Sequence, residues 1–230
     1  MYNHLFFDLD HTLWDFDRNS SEAIADIYEA RNLAALGIPS AAAFSEQFIS
    51  INRQLWLDFE RNLISHQVIR EARFPMVFAA LGLTDATACA TLNDEYLRRL
   101  PQKTHLTDAA RELLDHLRGR YRMHIITNGF DEIQAVKLSS SDIAHYFENV
   151  VTLEKAGAKK PDRRIFEYAL AVSGARLGPG NLMIGDSYEA DILGAMNVGM
   201  DTVFYNPAGQ VVDKKPTHDI RHWHELIAIL

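Results

Sequence analysis

From about Thr107 onward, short apolar and β-branched runs recur between segments of helical periodicity: "MHIIT" at 123–127, "NVVTL" at 149–153, "NLMIG" at 181–185 and "DTVFY" at 201–205. Strands that alternate with helices predict βαβ units and a parallel sheet. Leu113, Leu114 and Leu117 mark one buried helical stripe between them, and Ile165, Phe166, Ala169 and Leu170 mark another. The chain also opens on an apolar run, His4 to Leu9. Together these pieces predict an α/β fold with an open, doubly wound parallel sheet. Ligands of such a sheet belong just outside the carboxyl ends of its strands.

Residues 16–104 follow a different rule, because their apolar positions recur only at helical spacing. Phe44, Phe48, Ile51, Leu55 and Phe59 form one stripe, and Leu92, Tyr96 and Leu100 form another. Asn19, Ser20 and Ser21 offer an N-cap for a helix carrying Ile24, Ile27 and Tyr28, and Gly37-Ile38-Pro39 closes that segment. The expectation is a helical bundle at 16–104, inserted after the first strand of an α/β domain built from 1–15 and 105–230. Both pieces have plausible domain sizes.

Composition narrows the function. A chain of 230 residues with 47% apolar content can bury a substantial core. Its formal net charge of -8 repels polyphosphate backbones and anionic membrane surfaces, which argues against nucleic acid or a membrane as partner. Cys89 is the only cysteine, so neither an internal disulfide nor a cysteine-built metal site is available. The opening runs into an apolar strand with no basic leader, and no apolar stretch approaches the roughly 20 residues of a spanning helix. A cytoplasmic enzyme, monomeric or homodimeric, is expected.

Four segments at or just after predicted strands can carry chemistry. Asp8 and Asp10 lie two apart on an extended chain, so they project to one side and can share a cation; ordinary turn chemistry is the plainer explanation. Thr127, Asn128 and Gly129 can cradle an anion through the threonine hydroxyl and the two backbone N–H groups, or form only a tight turn. Lys159 and Lys160 precede Pro161, which suits the first turn of a helix, and one of them can neutralise carboxylates and a bound phosphate. "GDSYEAD" at 185–191 supplies Asp186 and Asp191, although Asp186 with Glu189 also reads as a capping box. In a doubly wound sheet all four segments converge on one edge.

The set "DLDHT" 8–12, "ITNG" 126–129, "KKPD" 159–162 and "GDSYEAD" 185–191, in this order, resembles the haloacid dehalogenase-like hydrolases with a helical cap after the first strand. The resemblance spans essentially the whole chain. It implies a Rossmann-like core with Asp8 as nucleophile, Asp10 as general acid/base, Thr127 as phosphate-binding hydroxyl and Lys160 as the lysine holding nucleophile and phosphate. It further implies Mg²⁺ bound by a carboxylate oxygen of Asp8, the backbone carbonyl of Asp10 and Asp186, with Asp191 in support. An aspartate at position 10 favours phosphate esters over carbon–halogen bonds, since an alcohol leaves with a proton and a halide without one. His11 departs from the glycine of many relatives and leaves the catalytic set intact.

"FFDLDHTLWDFDRNS" and "INRQLWLDFERNLISHQVIREARF" 51–74 are similar to the pyrimidine 5′-nucleotidase subgroup, which implies a nucleoside 5′-monophosphate as substrate. Phosphoglycolate, a sugar phosphate or a mutase reaction are the enzymatic alternatives, and a non-catalytic binder of a phosphorylated metabolite is the alternative of another class. Trp14, Phe16, Trp56 and Phe59 can stack on a base or pack in the cap. Arg70 and Arg73 can meet an anionic group, although a solvated helix face is the plainer expectation. His218, His222 and His224 read better as part of an amphipathic last helix, with Trp223, Leu226 and Ile227 packed down, than as a metal site. The cap is expected to gate the site, hinging near 14–18 and 100–106.

Overall fold

The structure, a computed structural model, describes residues 2–83, 89, 91–178 and 180–230. It divides into two compact units, Met1–Asp15 with His105–Leu230, and Phe16–Thr104.

In the first unit six strands form one parallel sheet: β1 (His4–Phe7), β2 (Arg122–Thr127), β3 (Asn149–Thr152), β4 (Asn181–Gly185), β5 (Asp201–Tyr205) and β6 (His218–Ile220). Their spatial order is β3-β2-β1-β4-β5-β6, with helices on both faces. Burial on both faces explains why β1 and β4 read as continuous apolar runs rather than alternating ones. On one face the helix Arg163–Ser173 lays Ile165, Phe166, Ala169 and Leu170 against Phe6, Ile126, Val151 and Met183. Each large side chain buried there contributes about 1.5–3 kcal/mol.

Phe7 is in register with Ile125 on one side and Ile184 on the other. The residue after β1 therefore emerges between the ends of β2 and β4, and the Asp8 N–H donates to the Ile184 carbonyl at 2.9 Å. After β2 the chain moves outward to β3, and after β4 it moves the opposite way to β5, so β1 marks the topological switch point where ligands of such sheets sit.

The strand β6 has no apolar run to announce it; its backbone alone pairs with β5, Val203 with His218 and Tyr205 with Ile220. His218 thus belongs to an edge strand and not to the last helix. That helix is Trp223–Ile229, where Trp223 and Leu226 are buried and Trp223 stacks on Tyr205 at 4.0 Å. His224 faces Glu112 at 3.3 Å.

The second unit contains the helices α1 (Phe16–Ala30), α2 (Ala41–Glu60), α3 (His66–Ala80) and α4 (Leu92–Arg99). Ser40 and Ser65 cap α2 and α3 by accepting from the N–H groups of Ala43 and Val68. Asn19 and Ser20 do not cap α1, which begins three residues earlier. Both are buried inside it, and Ser20 Oγ pairs with the Tyr96 hydroxyl at 2.9 Å, a tertiary contact that outweighs the local capping preference. An aromatic core of Phe44, Phe48, Phe74, Phe78 and Tyr96 ties α2, α3 and α4 together, with Phe48 4.6 Å from Tyr96.

Arg73 does not lie on a solvated face. It is buried, its guanidinium 5.6 Å from the Phe48 ring and 5.0 Å from the Tyr96 ring, and it donates to Asn52 and Asn93. Arg70 is half-buried beside it. Phe59 packs edge-on against Trp56 and stacks on His66, as the packing alternative expects. Cys89 is buried. Among the described residues no helix is long and apolar enough to cross a membrane.

Candidate active site

The ends of β1, β2 and β4 and the loop after β3 bring the sequence motifs together. Lys160 is the hub: its ammonium donates to Asp8 Oδ1 at 2.5 Å, to Asp191 Oδ1 at 2.6 Å and to the Ile126 carbonyl at 2.8 Å. All three ammonium protons are used. Burial alone would lower the pKa of this lysine, but Asp191 and Asp8 outweigh burial and hold the group protonated beyond its usual range. Pro161 precedes the Asp162 N-cap of the Arg163–Ser173 helix rather than opening its first turn. The Asn128 side chain clamps the lysine's backbone, accepting from the Lys160 N–H at 2.8 Å and donating to the Lys160 carbonyl at 3.1 Å.

Three carboxylates surround that one ammonium, and oxygens of Asp8, Asp186 and Asp191 lie within 4.8 Å of one another. Burial pushes the Asp8 carboxyl up to about 7 against the pull of Lys160, and pushes Asp186 up to about 6 against the pull of His11. Burial raises Asp191 as well. Asp191 is engaged at both oxygens, one by Lys160 and the other by the Ser187 N–H at 3.0 Å. Its side chain reaches that place because Gly185 has no Cβ; one built there would stand 2.2 Å from Asp191 Oδ2.

Asp186 is not the capping residue that its spacing from Glu189 suggested. Ser187 is the N-cap, accepting from the Ala190 N–H, and the turn that follows at Tyr188–Leu193 is π-helical. Asp186 instead accepts from the Thr12 hydroxyl at 2.9 Å, and that oxygen accepts in turn from the Asp186 N–H at 3.1 Å. Thr12 thereby pins the end of β4 to the loop after β1. His11 in that loop has φ 63, the left-handed region that glycine enters most readily.

The cluster carries an excess of two negative charges, three carboxylates against one ammonium, in a buried setting. An all-oxygen donor set with that excess suits a hard divalent cation, which would offset the excess negative charge of these buried carboxylates. Oxygens of Asp8, Asp186 and Asp191 lie close enough together to share such an ion.

Thr127, at the end of β2, is buried beside this cluster, and its hydroxyl oxygen accepts the Gly129 N–H at 3.1 Å. That N–H is spent within the turn and is not the free anion donor the sequence suggested. Trp14 differs from expectation more sharply. It has no exposed surface, its indole N–H donates to Ser141 Oγ at 3.1 Å, and the Lys137 ammonium lies 4.4 Å from the centre of its ring. A ring so covered has no face left for a substrate base.

Two residues that sequence reasoning missed complete the picture. Lys137 Nζ donates to Asp10 Oδ1 at 2.5 Å, and Gln134 Nε2 donates to Asp10 Oδ2 at 2.8 Å. Both come from the helix Asp131–Ser140. Their three-residue spacing puts them on one helical face, the only signal the sequence held.

A model of the haloacid dehalogenase-like hydrolases matches residues 2–199, and the chain belongs to this family. Over its full length it is 33% identical to the pyrimidine 5′-nucleotidase PynA of Streptococcus pneumoniae, covering 95% of that protein. It is 29% identical to the pyrimidine 5′-nucleotidase YjjG of Escherichia coli, over 98% of this chain and 96% of that one. The magnesium-bound structure of the HAD-hydrolase YfnB of Bacillus subtilis matches with a TM-score of 0.87 and 30% identity, covering 99% of this chain and 98% of that one. The chain is an enzyme, a hydrolase of the phosphatase and nucleotidase class.

Proposed function

We propose that the enzyme is a Mg²⁺-dependent phosphatase that transfers the phosphoryl group of a small phosphomonoester to Asp8 and then to water, with nucleoside 5′-monophosphates as preferred substrates. The observation that carries this reading is Lys160 bridging Asp8 and Asp191 at the switch point. A carboxylate attacks an anionic phosphate only where positive charge cancels their repulsion. Lys160 supplies one such charge and orients Asp8 Oδ1.

Asp8, Asp186 and the backbone carbonyl of Asp10 would hold Mg²⁺, which when bound supplies the remaining charge cancellation and aligns the phosphoryl group for in-line transfer. The Asp8 carboxylate attacks phosphorus as the bond to the leaving oxygen breaks, and Asp10 gives its proton to that oxygen. In the second half Asp10 takes a proton from water as the water oxygen attacks phosphorus, and Asp8 leaves as a carboxylate. The Thr127 hydroxyl donates to a phosphoryl oxygen throughout.

The nucleotide preference rests on the two relatives named for that activity. A triose phosphate is the second reading, favoured by 29% identity over 90% of the chain to the glyceraldehyde 3-phosphate phosphatase of Methanothermobacter thermautotrophicus. The helical unit, which joins the α/β unit at residues 15–16 and 104–105, would act as a cap that gates the substrate. A chain with one cysteine needs no oxidising compartment, in keeping with a cytoplasmic setting.

Phosphate release from UMP, CMP, AMP, glyceraldehyde 3-phosphate and phosphoglycolate, with and without Mg²⁺, tests this reading. The expected result is Mg²⁺-dependent turnover with pyrimidine nucleotides ahead. Higher kcat/KM for the triose phosphate or phosphoglycolate would replace the substrate, and no release from any ester under any divalent ion would refute the activity.

A further inference from the structure

The helix Asp131–Ser140 enters the site through a residue outside every motif. Gln134 is fully buried, and its Nε2 donates to two acceptors at once, Asp10 Oδ2 at 2.8 Å and Thr127 Oγ1 at 2.7 Å. This approach depends on Gly129, where a Cβ would stand 2.1 Å from that nitrogen. Nε2 is the donating end of the amide, and these two acceptors use both of its protons. Its own Oε1 is buried without a hydrogen-bond partner. A buried acceptor left without a donor is a standing cost to stability, of the kind that native sites retain for a purpose.

The consequence for Thr127 is directional. Its oxygen accepts from both Gln134 Nε2 and the Gly129 N–H, so both lone pairs are engaged and its single proton can only be donated. The consequence for Asp10 is orientational. Lys137, one turn further along the same helix, holds the other carboxyl oxygen at 2.5 Å, so the plane of the group is gripped at both ends.

We propose that Gln134 is a positioning residue of this site, one amide that fixes the donor direction of the Thr127 hydroxyl and the orientation of the Asp10 carboxyl together. This rests on the phosphatase reading above. A single side chain then sets the phosphate-binding donor and the group that moves the proton of the leaving alcohol.

Gln134→Met keeps the length of the side chain and removes both donated bonds. Inhibition by inorganic phosphate is expected to weaken about tenfold, the scale of one well-placed hydrogen bond. The fall in kcat/KM should be larger for an alkyl phosphate than for p-nitrophenyl phosphate, whose phenolate departs without a proton from Asp10. A residue needed only for packing would slow both esters alike. Unchanged phosphate inhibition and an unchanged alkyl-to-aryl ratio would overturn the proposal.

If that variant does not fold, Gly129→Ala displaces the same amide and should show the same two losses; their absence overturns the role equally. A wild-type enzyme inactive on both esters refutes the phosphatase reading and this role with it. An active wild type with indifferent variants refutes the role of Gln134 alone.

Discussion

Two lysine–aspartate pairs stand a few residues apart around the end of β1, and they differ in kind. Lys160 faces two buried carboxylates, Asp8 and Asp191, and spends every proton on fixed acceptors. Lys137 is equally buried, but its partner Asp10 keeps 23% of its side chain exposed. The first pair is a closed neutralising unit, and the second a grip on a group that can still meet solvent or substrate. A nucleophile must be fixed and stripped of repulsion, whereas an acid–base group must be held yet remain reachable.

Removing each ammonium in turn separates the two. Lys160→Met leaves two carboxylates buried without their cation, and breaking a buried pair in this way costs about 3–5 kcal/mol. Turnover should disappear together with a large fall in Tm. Lys137→Met leaves Asp10 able to hydrate, so the loss of stability should be nearer 1 kcal/mol. Equal falls in Tm, measured by calorimetry, would erase the distinction between the pairs.

Asp10→Asn keeps the shape of the second pair and removes its proton chemistry. Its kcat should drop by about 10²–10⁴-fold with little change in Tm, read from steady-state phosphate release. Activity within a few-fold of wild type would mean that the Lys137 pair has no part in the reaction.

A further expected effect concerns pH and metal. Folded Asp8 and Asp186 keep their protons up to about pH 7 and 6, against an ordinary carboxyl value of 3.8. Between those values the folded state binds more protons than the unfolded one, so the stability these groups contribute is full below the ordinary value and falls as pH rises through the folded ones. Chelator-treated protein should therefore melt lower at about pH 8 than at about pH 5, and Mg²⁺ should raise Tm more at the higher pH. A Mg²⁺ shift that is larger at the acidic end would contradict the assignment of the ion to these carboxylates.

The legibility of these features in the sequence follows from where they sit. Asp8, Thr127, Lys160 and Asp186 lie at strand ends or in the loops beyond them, and Asp191 in the turn that follows Asp186, where topology forces convergence, so apolar runs followed by polar residues revealed them. Gln134 and Lys137 lie within a helix, where polar residues are the norm and periodicity carries no mark of what they touch. Trp14 misled for a related reason: nearness to Asp8 in sequence says nothing of which ring face is covered, and here Lys137 covers one. The β6 strand escaped because an edge strand of three residues is defined by backbone pairing rather than by apolar content. The start of α1 was misjudged because Ser20 answers Tyr96 instead of its own backbone.

The most direct measurement is to quench the enzyme in acid during turnover of a phosphomonoester with Mg²⁺ and map the phosphoryl group by peptide mass spectrometry. The account predicts an acyl phosphate on the peptide containing Asp8, absent from Asp8→Asn and accumulating in Asp10→Asn when the leaving group needs no proton. Full turnover with no phosphoryl group on that peptide, or a phosphoryl group on another residue, would contradict it.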